Sequence, residues 1–253
     1  MKVTFLGTGT SQGVPVIGCN CPVCTSVDFR DKRLRTSVHL QVADKSIIID
    51  SGPDFRQQVL ANRIHRLDAL VFTHEHKDHT AGMDDVRSFN FLQQRSMPVY
   101  AHPRVQESLK REFSYVFAEK KYPGVPQIDL HSISLDKFQV VGVPFQPIEV
   151  LHYKLPVLGF RVHDFTYITD AKTITEAEKD KIIGSKVLVV NALQRQKHIS
   201  HFTLEEALAI VEELRPEQAY FTHLSHRMGT HRDVEKELPN NVKIAYDGLT
   251  VEV

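Results

Sequence analysis

The six residues His74-Glu75-His76-Lys77-Asp78-His79 place three imidazoles and the Asp78 carboxylate in one short segment. His74 and His76 are two apart, so in an extended chain both point to the same side. Asp78 and His79 follow as the chain turns and can face a second ion. Further candidates stand at the ends of apolar runs. Leu70–Thr73 runs into His74, Ile148–Leu151 into His152, Phe165–Thr169 into Asp170, and Ala219–Thr222 into His223. Strands sharing one edge would deliver these groups to one spot. Imidazole and carboxylate together make borderline N/O ligation suited to Zn, Mn or Fe. Holding two cations about 3.5–4 Å apart needs a bridging carboxylate, and Asp170 is the candidate.

A second metal-type pattern lies near the N-terminus. The three cysteines are Cys19, Cys21 and Cys24, and Pro22 sits in the turn between them. An odd number, so tightly bunched, is no disulfide framework. Three sulfurs around one point suit zinc, and a tetrahedral site needs one more Cys or His from elsewhere. Of the 14 histidines, His39, His65, His102, His131, His163, His198 and His231 look scattered and carry no expected role. The glycines of Gly7-Thr8-Gly9-Thr10-Ser11-Gln12-Gly13 follow a strand, but Pro15 and the cysteines come next instead of a helix. The dinucleotide-binding context is therefore missing, and tight turning is the better reason for these glycines.

The elements that would position these groups alternate between strand and helix. β-Branched content and boundaries predict strands at Lys2–Leu6, Ser37–Val42, Ser46–Ile49, Asp68–Thr73, Pro98–Ala101, Phe138–Val141 and Phe145–Leu151. Gly159–Val162, Phe165–Thr169, Lys186–Val190, Gln218–Thr222, Lys243–Tyr246 and Leu249–Val253 continue the series. Helices are expected at Pro53–Ala61, Pro103–Phe117, Thr175–Ile183, Thr203–Leu214 and Thr230–Leu238. Thr203 with Glu206 forms a capping box. The pattern predicts one α/β domain over residues 1–253, with two sheets covered by helices. Tyr122–Pro126 is loop punctuation and not a boundary, because candidate ligands lie on both sides.

Composition sets the outer limits. The chain has 253 residues, 31 basic and 31 acidic side chains, 42% apolar residues and no Trp. That excludes a disordered, collagen-like or coiled-coil chain, and no apolar run approaches the roughly 20 residues of a membrane helix. The start of the chain does not read as a signal peptide, so a reducing cytoplasm, where thiols persist, is the expected location. Zero formal charge argues against broad capture of nucleic acid or anionic membrane. A local basic groove for nucleic acid is left open but not favoured.

Thr73-His74-Glu75-His76-Lys77-Asp78-His79 resembles the H-x-H-x-D-H signature of the metallo-β-lactamase superfamily, and His152, Asp170 and His223 fall in that superfamily's order. The resemblance implies an αββα four-layer sandwich with a dinuclear site at one end of its sheets. One ion would take His74, His76 and His152, the other Asp78, His79 and His223, with Asp170 and a hydroxide bridging. It also implies that Asp50, in Ile49-Asp50-Ser51-Gly52, orients a metal-bound histidine.

Gly7–Pro15 followed by Gly18-Cys19-Asn20-Cys21-Pro22-Val23-Cys24 is similar to the phosphoribosyl 1,2-cyclic phosphate phosphodiesterases of phosphonate breakdown. That likeness implies a structural zinc on Cys19, Cys21, Cys24 and His226. It also implies a non-ligand catalytic histidine, matched here by His201. His201 precedes the capped helix, whose N-terminus together with the cations would lower its pKa. The implied reaction is hydrolysis of a cyclic, ribose-type phosphodiester to a phosphomonoester, with Mn or Zn at the site, Asp78 in the machinery and His201 protonating the departing alkoxide. A small-molecule phosphodiester is the expected partner, with no membrane; a homodimer is allowed. Rival readings are a tRNA 3′-processing endonuclease, the accessory protein of pyrroloquinoline quinone synthesis, which shares the C-x-C-x-x-C start, and, in another class, a non-catalytic metal-binding accessory protein.

Overall fold

The run Lys45-Ser46-Ile47-Ile48-Ile49 is apolar on both faces, and successive side chains of a strand point to opposite sides. Ile47 and Ile49 enter one core cluster and Ile48 another. Val187-Leu188-Val189-Val190 repeats the device: Val187 and Val189 join the first cluster, Leu188 and Val190 a third. Strands of this kind are covered on both faces. Two sheets therefore pack against each other, and each carries helices on its outer face.

The computed structural model describes all 253 residues. In chain order the strands are β1 (Lys2–Gly7), β2 (Ser37–Val42), β3 (Lys45–Ile49), β4 (Ala69–Val71), β5 (Met97–Ala101), β6 (Ile128–Ser132), β7 (Phe138–Val140), β8 (Val143–His152), β9 (Leu155–Val162), β10 (Phe165–Tyr167), β11 (Thr173–Ile174), β12 (Val187–Asn191), β13 (Gln218–Thr222), β14 (Val242–Ile244) and β15 (Thr250–Glu252). The first sheet has seven strands in the order β15-β1-β2-β3-β4-β5-β6. The second has eight, ordered β11-β8-β9-β10-β12-β13-β14, with β7 paired to β8. The helices are α1 (Phe55–Ala61), α2 (Lys77–Thr80), α3 (Arg87–Gln93), α4 (Pro103–Glu112), α5 (Ser114–Phe117), α6 (Glu176–Ile182), α7 (Leu204–Leu214) and α8 (His231–Glu235). Phe55 of α1, Phe89 of α3, Val105 and Leu109 of α4 and Val116 of α5 cover the first sheet. Ile182 of α6, Ala207 and Val211 of α7 and Val234 of α8 cover the second. The architecture is the expected αββα sandwich.

In the first sheet β3, β4, β5 and β6 run parallel, and in the second β10, β12, β13 and β14 do. Parallel neighbours gather their C-terminal ends on one rim, where open α/β sheets bind their ligands. Two loops on that rim approach very closely. A Cβ on Gly52 would lie 2.0 Å from the carbonyl oxygen of Asp78, so only glycine fits. The backbone bonds Ser51 N to His79 O and Gly82 N to Ser51 O, each 2.8 Å, zip the loop after β3 to the histidine-rich loop after β4.

The structure adds elements the sequence did not signal. β6 is a polar edge strand with no buried residue, and β11 has two residues. α2 lies within the histidine-rich loop itself. α3 buries only Phe89 and Asn90. The helix expected over Pro103–Phe117 breaks at Phe113 (φ −108°, ψ 42°) into α4 and α5. Its apolar stripe runs unbroken through that point, so periodicity gave no warning. No helix is long and apolar enough to cross a membrane.

Candidate metal centre

Four positions on the rim have backbone that turns left-handed, three directly after a strand, Asp50 (φ 63°), Tyr153 (57°) and His223 (57°), and one, Asp170 (54°), three residues past the end of β10. Such φ values cost a side-chain-bearing residue on the order of 1–3 kcal/mol and persist where the surroundings enforce them. Asp50, Asp170 and His223 all aim polar groups at the same place. At Asp170 the enforcing group is Asn191 at the end of β12. Its Nδ2 donates to Ala171 O (3.0 Å) and its Oδ1 accepts from Ala171 N (2.7 Å).

Asp50 is buried and takes three donors. Its carboxylate accepts from Thr73 N (2.9 Å), Thr73 Oγ1 (2.8 Å) and His79 Nδ1 (2.7 Å). With Nδ1–H committed, the neutral His79 ring presents a bare Nε2. That atom lies 3.3 Å from Asp78 Oδ2 and 3.4 Å from Asp170 Oδ1. His74 is fixed similarly, since its Nδ1 is 3.0 Å from Thr73 Oγ1, whose proton goes to Asp50. Its Nε2 stands 3.0 Å from His76 Nδ1. His152 donates Nδ1–H to Ser200 O (3.0 Å), leaving its Nε2 free. His223 Nε2 is 3.2 Å from Asp170 Oδ1 and 3.7 Å from Asp78 Oδ2.

These atoms form overlapping donor groups that share Asp170: Asp78, His79, Asp170 and His223; His74, His76 and Asp170; His152, Asp170 and His201. His152 thus stands nearer His201 (ring centroids 4.4 Å) than His74 (6.1 Å). His201, which the resemblance makes a non-ligand, has Nε2 3.3 Å from Asp170 Oδ2.

The electrostatics ask for positive charge. Burial raises the Asp170 carboxyl, but the His223 and His79 imidazoles outweigh it and hold the group well below the usual carboxylate range. Asp78 is likewise pulled down against its burial by His79 and His223. His79 is pushed well above the ordinary imidazole value, because Asp78, Asp170 and Asp50 overcome its burial. Burial, reinforced by His79, drives His74 well below it. Burial also lowers His152, and it lowers His201 to about 4 against the opposing bond to Asp170. His79 Nε2 and both ring nitrogens of His223 are buried without a hydrogen-bond partner. Bare imidazole nitrogens facing two ionised carboxylates are the donor set of a divalent cation, which would displace the proton that His79 otherwise attracts.

The cysteines gather on His226. Its Nδ1 is 3.2 Å from Cys19 Sγ and 3.5 Å from the Sγ atoms of Cys21 and Cys24. The backbone N–H of Cys24 donates to Cys21 Sγ (3.4 Å) and that of Val16 to Cys24 Sγ (3.3 Å). The Cys24 N–H pulls the Cys21 thiol down to about 6, while burial pushes Cys24 up to about 11. Three sulfurs and one imidazole nitrogen form a group fit for tetrahedral zinc.

Sequence reading missed two contributors. Asn191 clamps the Asp170 turn only because parallel pairing sets it beside Ala171. His198, grouped among the scattered histidines, has Nδ1 3.2 Å from His201 Nδ1. Its signal was the spacing of two histidines three apart, just ahead of a capped helix.

Comparisons with known proteins agree with this geometry. Residues 45–224 match the model of the β-lactamase superfamily domain. The matched range holds every residue of the rim cluster and excludes the cysteine loop and His226. The chain is 39% identical over 252 residues to an octanoyltransferase from Porphyromonas gingivalis, covering 98% of this chain and 51% of that protein. It therefore spans about half the length of that curated relative. Among solved structures it is similar to a diphosphatase from the PhnP family, with 38% identity, a TM-score of 0.92 and coverage of 99% of this chain and 96% of that one. Zn(2+)-bound PqqB from Methylobacterium extorquens shares the fold at 18% identity, TM-score 0.81, with full coverage of both chains. A family match across most of the chain, joined to a near-complete overlay at 38% identity, places this protein in the β-lactamase superfamily, in its metallo-β-lactamase branch alongside the PhnP family.

Proposed function

We propose that this chain is a metal-dependent phosphodiesterase that opens a cyclic, ribose-type phosphodiester to a phosphomonoester. One observation carries the reading. The two oxygens of Asp170 serve different histidines: Oδ1 faces His79 (3.4 Å) and His223 (3.2 Å), while Oδ2 faces His74 (3.8 Å) and His201 (3.3 Å). A carboxylate so divided is placed to be shared between two cations. His74, His76 and His152 would hold one, and Asp78, His79 and His223 the other. Bound there, two Mn or Zn ions would supply Lewis-acid activation of water and phosphate.

The remaining work falls to the chain's own groups. Asp50 and Thr73 lock the His79 and His74 rings, so those side chains need no rearrangement when substrate arrives. His201 lies over Asp170 with Nε2 toward the site, in reach of a leaving oxygen. As water's oxygen bonds to phosphorus and the ribose P–O bond breaks, that nitrogen would take up the proton the water loses and pass it to the departing alkoxide. Cys19, Cys21, Cys24 and His226 would hold a structural zinc. A reducing cytoplasm keeps those thiols available. Likeness to a PhnP-family diphosphatase supports chemistry at phosphorus.

The test is a substrate comparison on Mn- or Zn-loaded protein whose metal content has been measured. The expected result is turnover of bis(p-nitrophenyl) phosphate and of a ribose cyclic phosphate, with His201→Ala slowing the latter about 10²–10⁴-fold at unchanged metal content. Preference for a precursor tRNA or a diphosphate ester would overturn the cyclic substrate. Full metal loading with no hydrolysis of any of these would leave a metal-binding accessory protein.

A further inference from the structure

At the opposite end of the first sheet from the metal centre, the outward strand residues turn polar. On β1 and β3, Leu6 and Ile48 pack under helices. Thr4 and Ser46, two residues earlier on the same face, do not. Register sets Thr4 beside His39 and Ser46 beside Gln41. These side chains floor a cavity of about 490 Å³, walled by the β2–β3 turn and by residues 62–66 after α1. Of its 14 lining residues only Ala43 and Ile64 are apolar, so it suits a polar ligand. Lys2, Lys45, Arg63 and Arg66 line it against one carboxylate, Asp44. Lys45 is answered by Asp44 (2.8 Å) and Arg66 by Asp68 (2.9 Å). Lys2 and Arg63 are exposed and form no ion pair, although Glu252 lies across from Lys2 on β15.

The floor is neutral and offers both a donor and an acceptor. His39 is only 5% exposed. Ser46 Oγ donates its one proton to Arg66 O (2.6 Å), so His39 Nε2, 2.7 Å away, must donate to that oxygen. Burial, with a smaller push from Lys2, lowers the ring to about 4 and keeps it uncharged near neutral pH. Its Nδ1 is then a bare acceptor. That atom has no hydrogen-bond partner and, unlike the ring nitrogens of His223, is not sealed from solvent. The Thr4 and Thr250 hydroxyls stand 3.0 Å apart; their bond uses one proton and leaves the other to donate. A bare anion on this floor would meet the lone pair of Nδ1. A hydroxyl would be received by it.

We propose that this cavity is a second small-molecule site, for a ribose-type monophosphate whose hydroxyl donates to His39 Nδ1 while Lys2 and Arg63 hold its phosphate. Pockets of 300–1,000 Å³ accept ligands of that size. The floor selects the sugar by paired donor and acceptor, and the cations at the mouth select the charge. β3 runs its full length between this cavity and Asp50, so the site is separate from the metals and stands whatever reaction they support.

The test is a titration of zinc-loaded, ¹⁵N-labelled full-length protein, followed at its backbone amides. Ribose 5-phosphate should give saturable shifts at Lys2, Thr4, Gln41, Ser46 and Arg63. Inorganic phosphate and ribose should each bind there about tenfold or more weakly, since each satisfies only half of the site. Shifts at residues 74–79 report phosphate on the rim metals and are fitted separately. AMP distinguishes the two sources of the ligand: binding admits nucleotides, and exclusion restricts the site to free sugar phosphates. Lys2→Ser combined with Arg63→Ser should weaken ribose 5-phosphate about tenfold or more at the cavity and leave the rim shifts unchanged. His39→Leu should erase the preference for ribose 5-phosphate over inorganic phosphate. Should that variant fail to fold, the comparison of ligands on the wild type still decides. No shift at the cavity amides with millimolar ribose 5-phosphate would overturn the proposal. Equal affinity for inorganic phosphate would reduce the cavity to a patch that attracts anions, and an unchanged affinity in the double variant would reject the phosphate contacts.

Discussion

Asp50 is fully buried, yet its carboxylate decides how two imidazoles present themselves. It accepts from His79 Nδ1 directly and from the Thr73 hydroxyl that in turn receives His74 Nδ1–H. Asp50→Asn would keep the shape and remove the charge. The amide must then turn an NH₂ toward either Thr73 or His79, and it no longer raises the basicity of His79. Partners of this kind typically contribute 10–100-fold in metal affinity. Asp50→Asn should therefore weaken binding at the rim by about that factor in chelator competition, while the cysteine-bound metal stays put. Equal affinity in the variant would show that the β4 loop alone fixes the rings. His74, His76, Asp78 and His79 were legible because ligation chemistry needs particular residue types at short spacing, and His152, Asp170 and His223 because each follows an apolar run. Asp50 was legible only through resemblance. His198 and Asn191 were not, because their partners are set by the loop conformation at Ser200 and by strand pairing beside Ala171, and neither leaves a pattern in composition.

Among the elements, the β2–β3 hairpin holds a titratable group far from the rim. His39 on β2 is buried, its Nε2 2.7 Å from Ser46 Oγ on β3, and that hydroxyl donates to Arg66 O (2.6 Å). Burial, with a smaller push from Lys2, lowers the imidazole from 6.5 to about 4. The folded state therefore resists a proton that the unfolded chain accepts. Between those two values the unfolded chain binds more protons, so stability should fall as the solution is acidified from 6.5 toward 4 and level off below. A shift of this size corresponds to at most about 3 kcal/mol. Urea unfolding from pH 7 down to 4.5 should show a shallower loss in His39→Gln than in the wild type, and identical slopes would exclude the residue. Elements with two-sided apolar strands or a capping box, such as β3, β12 and α7, were legible because burial and capping dictate residue type. Thr203 and Glu206 form both bonds of the box. β6 and α3 were not, since an edge strand and a short surface helix bury too little to impose a pattern.

Taken whole, the molecule closes on itself from its ends. β15 pairs with β1, so the last strand completes the sheet that the first began. The sequence contained the strands, but no local signal says which becomes neighbour to which, and that order is what brings candidate ligands from both halves together. The cysteine loop is the second closure. His223 points into the rim cluster, and three residues later His226 meets Cys19, Cys21 and Cys24. Between them, Leu224 bonds to Thr8 and Thr10. A zinc held there would tie the loop after β1 to the segment that aims His223. Clips that close long loops remove the most chain entropy from the unfolded state, and zinc affinity in such sites is itself folding free energy. Cys21→Ser should cost one zinc per chain by elemental analysis. A loss of a few kcal/mol would lower Tm by roughly 5–10 °C for a chain of this size. Because His223 shares the clipped segment, metal at the rim should also dissociate faster. The competing account is that the backbone bonds of Leu224 hold the segment unaided. In that case the variant would lose its zinc and still melt within a degree of the wild type, and the clip would have no part in shaping the rim.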